Sequence, residues 1–232
     1  MLLLDQAMSL IKTIKEYPAK KSSNKHAFVL CGFGGSIWQL KRLITVLSRQ
    51  GYHVTALDFS ESVLSKGDAT LLPKLVDDTV TLLEAKRQAI GKPVLLVGIS
   101  LGALLSLNIL RRSKLFDRAV MITGGDIVKV AQRIYGPSVW PQSYDELARQ
   151  WQQVNMYTNP SLLQGKSMLM VLPKRDKLID PQDVYAEVKM QRAAGNNVQL
   201  TERRLFGHVG TIIEEAVLLP HRTRGYIKKV SG

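Results

Sequence analysis

The chain contains strand-length runs that are apolar at every position, each followed by a helical pattern. Ala27-Phe28-Val29-Leu30-Cys31, stopped by Gly32, is the first, and Val94-Leu95-Leu96-Val97-Gly98-Ile99 is another. A strand without polar residues at alternate positions must be covered on both faces, as a central strand of a parallel sheet is. After the first run, Ile37, Leu40, Ile44 and Leu47 fall on one helical face, and Gly51 closes that helix. Further strands are predicted over 53–59, 94–99, 119–123, 167–172 and 198–205. Helices are predicted over 73–90, 100–112, 182–194 and 210–219. This alternation predicts the α/β class, a three-layer α/β/α sandwich around a mostly parallel central sheet. At 232 residues one domain spanning 1–232 is expected, with ample chain for a core.

Two segments break the rhythm. Leu3, Leu10, Ile14 and Tyr17 are spaced for a helix ended by Pro18, so residues 2–17 are expected to be helical and 1–25 to form an N-terminal helix and linker. Such a helix would pack on the body, mediate dimerisation or lie on a membrane surface. The other segment, 124–165, is too long for a simple crossover. Its Tyr135, Trp140, Tyr144, Trp151 and Tyr157 are five of the fifteen aromatic residues in the chain, which singles it out as an insertion. In doubly wound sheets ligands bind beyond the carboxyl ends of the strands. Residues 126–165 are therefore expected as a cap or lid, with Trp140, Tyr144 and Trp151 as candidate substrate contacts. The alternative is that these rings only pack the insertion onto the body.

The 32 Lys+Arg against 19 Asp+Glu give a formal charge of +13, which raises the question of a polyanion partner. The cations are dispersed, as in Lys20-Lys21, Arg111-Arg112, Lys174-Arg175 and Arg203-Arg204, with no compact block or aromatic-interleaved stripe. No specific nucleic-acid site is expected, only loose attraction to polyanions, anionic membrane surfaces included. A single cysteine, Cys31, rules out an internal disulfide framework and an all-Cys zinc site. No apolar run approaches the roughly 18–20 residues of a membrane span. Met1-Leu2-Leu3-Leu4-Asp5 lacks the positive n-region of a secretory signal, so the expected location is cytoplasmic. Oligomeric state is left open.

The chemistry centres on Gly98-Ile99-Ser100-Leu101-Gly102, a G-x-S-x-G element between a buried-type strand and the helix that begins at Ala103. A turn this tight strains its central residue, and the flanking glycines let strand and helix approach. The hydroxyl then projects above the sheet at the positive end of the helix dipole. The alternative is a turn serine that merely caps the helix.

A serine nucleophile needs a base. His26 and His53 open strands and His221 lies in the basic tail, whereas His208, after Phe206-Gly207, follows the carboxyl end of a strand on the rim where Ser100 emerges. The base needs a carboxylate. Asp180, followed by Pro181, already has a role as a helix start, which leaves Asp176 as the preferred acid and Asp126 as an outside candidate. The oxyanion would be met by the Leu101 N–H and by a donor from Cys31-Gly32-Phe33-Gly34-Gly35-Ser36. That loop lacks both the full G-x-G-x-x-G spacing and a Gly-Lys-Ser/Thr ending, so nucleotide binding is discounted.

From about residue 26 onward the chain resembles the α/β-hydrolase superfamily. The resemblance rests on Gly32-Phe33-Gly34-Gly35-Ser36, Gly98-Ile99-Ser100-Leu101-Gly102, Arg175-Asp176-Lys177-Leu178-Ile179-Asp180-Pro181 and Phe206-Gly207-His208, in that order. It implies Ser100 as nucleophile, Asp176 as acid, His208 as base, and the Phe33 and Leu101 N–H groups as oxyanion donors. It also implies a cap in the insertion. Two departures stand out: Cys31 where the family often has His, and no sign of the family's first antiparallel strands. The activity implied is that of a serine hydrolase acting on a small acyl ester or thioester, without metal or organic cofactor. An acyltransferase, a hydrolase of another bond or a non-catalytic binding protein on the same scaffold are the rivals.

Overall fold

The computed structural model describes residues 10–21, 24–65, 67–91, 94–155 and 160–231. Its seven strands form one sheet: β1 (Ile11–Tyr17), β2 (Lys25–Leu30), β3 (Tyr52–Phe59), β4 (Val94–Ile99), β5 (Arg118–Ile122), β6 (Ser167–Pro173) and β7 (Asn197–Arg203). The order across the sheet is β1-β3-β2-β4-β5-β6-β7, with β1 antiparallel to β3 and every other pair parallel.

Each central strand divides its side chains between two cores with period two. Phe28 and Leu30 of β2 join Leu96 of β4, Met121 of β5 and Met170 of β6 on one face. Ala27 and Val29 join Val97, Val120 and Val171 on the other. The first face is covered by α2 (Leu71–Ile90), α3 (Leu101–Arg112) and α6 (Pro181–Ala193), the second by α1 (Lys41–Arg49) and α8 (Arg222–Ser231). This double coverage is why β2 and β4 read as unbroken apolar runs. Each fully buried Leu, Val, Ile or Phe contributes about 1.5–3 kcal/mol of transfer free energy.

The helix expected over 2–17 is corrected. Residues 1–9 lie outside the described residues, and Ile11–Tyr17 form an edge strand. The three-residue spacing that mimics a helix has a local cause. A register shift between Ile11 and Thr13 skips Lys12, so Ile11 and Ile14 reach the same core while Tyr17 reaches the opposite one. The missing antiparallel strand is thus present, at the sheet edge, with Lys12 and Lys15 exposed along it.

Three smaller differences concern ends. The first helix starts at Lys41, because 37–40 form turns. The helix expected over 210–219 is a short α7 (His208–Ile212) continued by a π-helical turn, Ile213–Leu218. The basic tail forms α8, whose Tyr226, Ile227 and Val230 are buried.

The chain passes from β2 to β3 on one side and returns to β4 on the other. In the sheet Leu30 pairs with Leu57 on one flank and Gly98 on the other. Loops leaving β2 and β4 therefore diverge, and the crevice between them is the binding position of an open parallel sheet. Between β5 and β6 the insertion contributes α4 (Ile127–Tyr135), α5 (Tyr144–Gln150) and a 3-10 turn, Pro160–Leu163. Tyr157 is outside the described residues.

Candidate active site

Ser100 follows β4 directly and has φ 52° and ψ −113°, a strained left-handed backbone. Its N–H donates to Ile122 O (2.8 Å) and its carbonyl accepts from Ala103 N (2.9 Å), so the strain is held by the neighbouring strand and by the helix it starts. The two flanking glycines are obligatory for contact reasons. A Cβ on Gly98 would meet Gly102 O at 2.1 Å, and one on Gly102 would meet Leu30 O at 2.1 Å. Gly32 brings the loop after β2 alongside, since a Cβ there would be 3.1 Å from Ser100 Cβ.

His208 begins α7. Its Nε2 lies 3.0 Å from Ser100 Oγ and its Nδ1 lies 2.8 Å from Asp176 Oδ2. This is the arrangement in which Nδ1–H donates to the carboxylate and Nε2 accepts the hydroxyl proton. Asp176 is fixed independently of the histidine: its Oδ1 accepts from Leu178 N (2.8 Å) and Ile179 N (3.0 Å). Its carboxylate is fully buried, and the histidine ring nearly so. The sequence candidates Ser100, Asp176 and His208, contributed by β4–α3, the loop after β6 and the loop after β7, thus form one continuous hydrogen-bonded line.

The other candidates are placed elsewhere. Asp180 caps α6 through Gln182 N (2.9 Å). Asp126 caps α4 through Val128 N and Lys129 N and also accepts from Tyr144 Oη (2.9 Å) and Asn155 Nδ2 (3.1 Å). His26 is buried near the amino ends of the strands, with Nε2 2.9 Å from Thr55 Oγ1. His53 faces Glu16 at 3.7 Å. Cys31 is buried against the second core, and burial, with Asp58 adding to it, pushes its thiol up to about 12, so it carries no thiolate at neutral pH.

A cavity of about 380 Å³ opens at Ser100 and His208. The Gly32–Ser36 loop forms one wall, and Leu101 lies in the wall beside Ser100. Neither the Phe33 nor the Leu101 N–H donates to a protein acceptor among the described residues. Much of the remaining lining is aliphatic: Ile127, Val130 and Ile134 from α4, with Val209, Ile212 and Ile213 from α7 and its extension.

Trp140 and Trp151, expected as substrate contacts, are absent from this wall. Both are fully buried, stacked edge to face at 5.1 Å, and their indole N–H groups donate to Leu64 O (3.1 Å) and Ala69 O (2.7 Å). Burying a Trp requires a partner for its N–H, and these carbonyls supply it. Tyr144 is spent on Asp126; burial first, then that hydrogen bond, pushes its phenol up to about 12. The insertion reaches the cavity through α4 instead. Its signal in the sequence is aliphatic, Ile127, Val130 and Ile134 spaced three and four apart, and it is weaker than that of the aromatic residues around it.

Among the described residues no three His, Cys, Asp or Glu side chains gather as a metal site would require, and no helix is long and apolar enough to cross a membrane.

With this geometry in view, the sequence matches, over residues 21–166, the family described as serine aminopeptidase, S33. The matched stretch contains Ser100 and ends before Asp176 and His208. No curated protein matches the sequence. Solved structures do. The esterase Pf2001 of Pyrococcus furiosus superposes with a TM-score of 0.66 at 18% identity, over 98% of this chain and 94% of that one. Est1E from Butyrivibrio proteoclasticus gives 0.67 at 12%, over 94% of each chain. Esterase 2 of Thermogutta terrifontis, phosphonylated by sarin, gives 0.64 at 13%, over 94% of this chain and 91% of that one. At these identities the likeness is one of fold.

Proposed function

The chain belongs to the serine aminopeptidase S33 family of the α/β-hydrolase superfamily, and on that footing we propose that it is a serine hydrolase of carboxylic esters or thioesters. The observation that carries this reading is the line Asp176–His208–Ser100, with spacings of 2.8 and 3.0 Å. Ser100 Oγ attacks the acyl carbon while His208 Nε2 takes its proton. The imidazolium that forms is stabilised by Asp176, whose second oxygen is anchored by two backbone N–H groups and so cannot swing away. The Phe33 and Leu101 N–H groups meet the oxyanion, assisted by the amino end of α3. His208 then protonates the leaving group and activates water to release the acyl group.

An acyl ester or thioester is favoured over a peptide with a free amino terminus by the chemistry of the cavity wall. Among the described residues that wall carries no carboxylate to receive an ammonium group, and much of it is aliphatic. The cavity suits a bounded apolar acyl chain. The fold neighbours supply context: Thermogutta esterase 2 is phosphonylated by sarin and has been seen with butyrate bound.

The test is activity on p-nitrophenyl esters of graded chain length. A defined optimum, abolished in Ser100→Ala, is expected; flat rates at the level of that variant would overturn the proposal. Adding an alcohol or amine acceptor distinguishes acyl transfer, which would divert the acyl group from water.

A further inference from the structure

Beside the catalytic cavity a shallow groove of about 750 Å³ runs over α1, and the two depressions share Gln39 and Val217 as walls. The groove carries Trp38, Lys41, Arg42, Arg49 and Leu218. Trp38 is 79% exposed, the most exposed large apolar side chain among the described residues.

Exposed apolar surface is concentrated here. Of nine large apolar side chains exposed among the described residues, five line these two depressions: Trp38 and Leu218 the groove, Ile134, Val209 and Ile213 the cavity mouth. An apolar patch ringing an opening marks an interaction site. The charge beside it narrows the partner. Lys41, Arg42 and Arg49 form no salt bridge among the described residues, although Arg42 donates to Val217 O (3.3 Å). The chain as a whole carries +13. Unpaired cations flanking Trp, Leu and Ile are the composition of a surface that lies in a headgroup layer, the rings at the boundary and the cations on lipid phosphates.

We propose that this face, α1 with Trp38 and the chain around Leu218, docks on an anionic lipid surface, so that the mouth of the cavity opens onto the headgroup layer. Docking itself does not depend on the hydrolase reading; that the substrate is then drawn from the lipid layer rests on it.

The experiment uses the full chain with vesicles of phosphatidylcholine alone or mixed equally with phosphatidylglycerol, read by co-sedimentation and tryptophan emission. Trp140 and Trp151 are fully buried, so a blue shift on binding reports Trp38. Binding to anionic vesicles is expected, at least about tenfold weaker to neutral ones. It should vanish near 1 M salt, where the screening length is about 3 Å. Lys41→Glu with Arg49→Glu should weaken binding by an order of magnitude or more, at roughly fivefold per charge. Trp38→Ser should abolish the shift and weaken binding. Each variant is a surface change whose melting temperature should match the parent. Ser100→Ala should bind vesicles like the parent, which separates docking from chemistry. No binding to anionic vesicles, equal binding to neutral ones, or undiminished binding by the charge-reversed protein would overturn the proposal.

Discussion

A Cβ atom on Gly102 would stand 2.1 Å from the carbonyl oxygen of Leu30, so the helix behind Ser100 lies directly against the backbone of β2. The obstacle is main chain and cannot rotate aside. Gly102→Ala should therefore cost at least about 3 kcal/mol and displace the serine turn. Gly91 is the control: its φ is 64° but nothing lies within 4 Å, so Gly91→Ala should cost only about 1 kcal/mol. Urea unfolding of both variants measures the contrast, and similar costs would contradict it.

Asp176 performs two tasks with two oxygens, one holding the Leu178 and Ile179 amides and the other facing His208. In Asp176→Asn the amide oxygen can keep the backbone bonds while its NH₂ turns toward Nδ1. That arrangement forces the wrong imidazole tautomer with the fold intact. The expected outcome is a fall in kcat of about 10⁴-fold with little change in melting temperature. A comparable loss of stability would instead give the residue a structural role.

Glu187 on α6 is buried, bonded through Oε1 to Gln191 Nε2 (2.9 Å), while its Oε2 has no partner. Burial pushes its carboxyl up to about 7, with Gln191 and Arg111 opposing. Below the usual carboxylate range it is protonated folded or unfolded, and it costs nothing. Between about 4.5 and 7 only the unfolded chain ionises it, so stability falls as pH rises, then levels off above 7. Glu187→Gln should remove this loss, gaining on the order of 3 kcal/mol relative to the parent between pH 5 and 8. Parallel pH profiles in urea unfolding would refute the assignment.

Val130 and Ile134 bound the aliphatic wall of the cavity. Val130→Trp should shorten the accepted acyl chain, lowering kcat/KM for long esters about tenfold or more while sparing acetyl esters. A uniform loss across chain lengths would show that the acyl group lies elsewhere.

The central sheet was legible because β2 and β4 are covered on both faces and cannot tolerate polar residues. The residues of the serine turn were legible because close backbone approach demands glycine at 98, against Gly102 O, and at 102, against Leu30 O, and so leaves a short G-x-S-x-G pattern around Ser100. What the sequence concealed was set by tertiary contact. The register shift at Lys12 gave an edge strand the spacing of a helix. The aromatic content of the insertion marks Trp140 and Trp151, but whether an indole faces ligand or core depends on the carbonyls of Leu64 and Ala69, distant in sequence. The role of buried Glu215, which lies on the π-helical turn and accepts from Arg203, Arg222 and Tyr226, is likewise invisible without the fold.

The most direct measurement is intact and peptide mass spectrometry after treatment with a fluorophosphonate. One adduct on Ser100 is predicted, absent from Ser100→Ala and formed far more slowly in His208→Ala. Failure of the folded protein to react between about pH 7 and 9, or an adduct at another residue, would contradict an activated hydroxyl at this position.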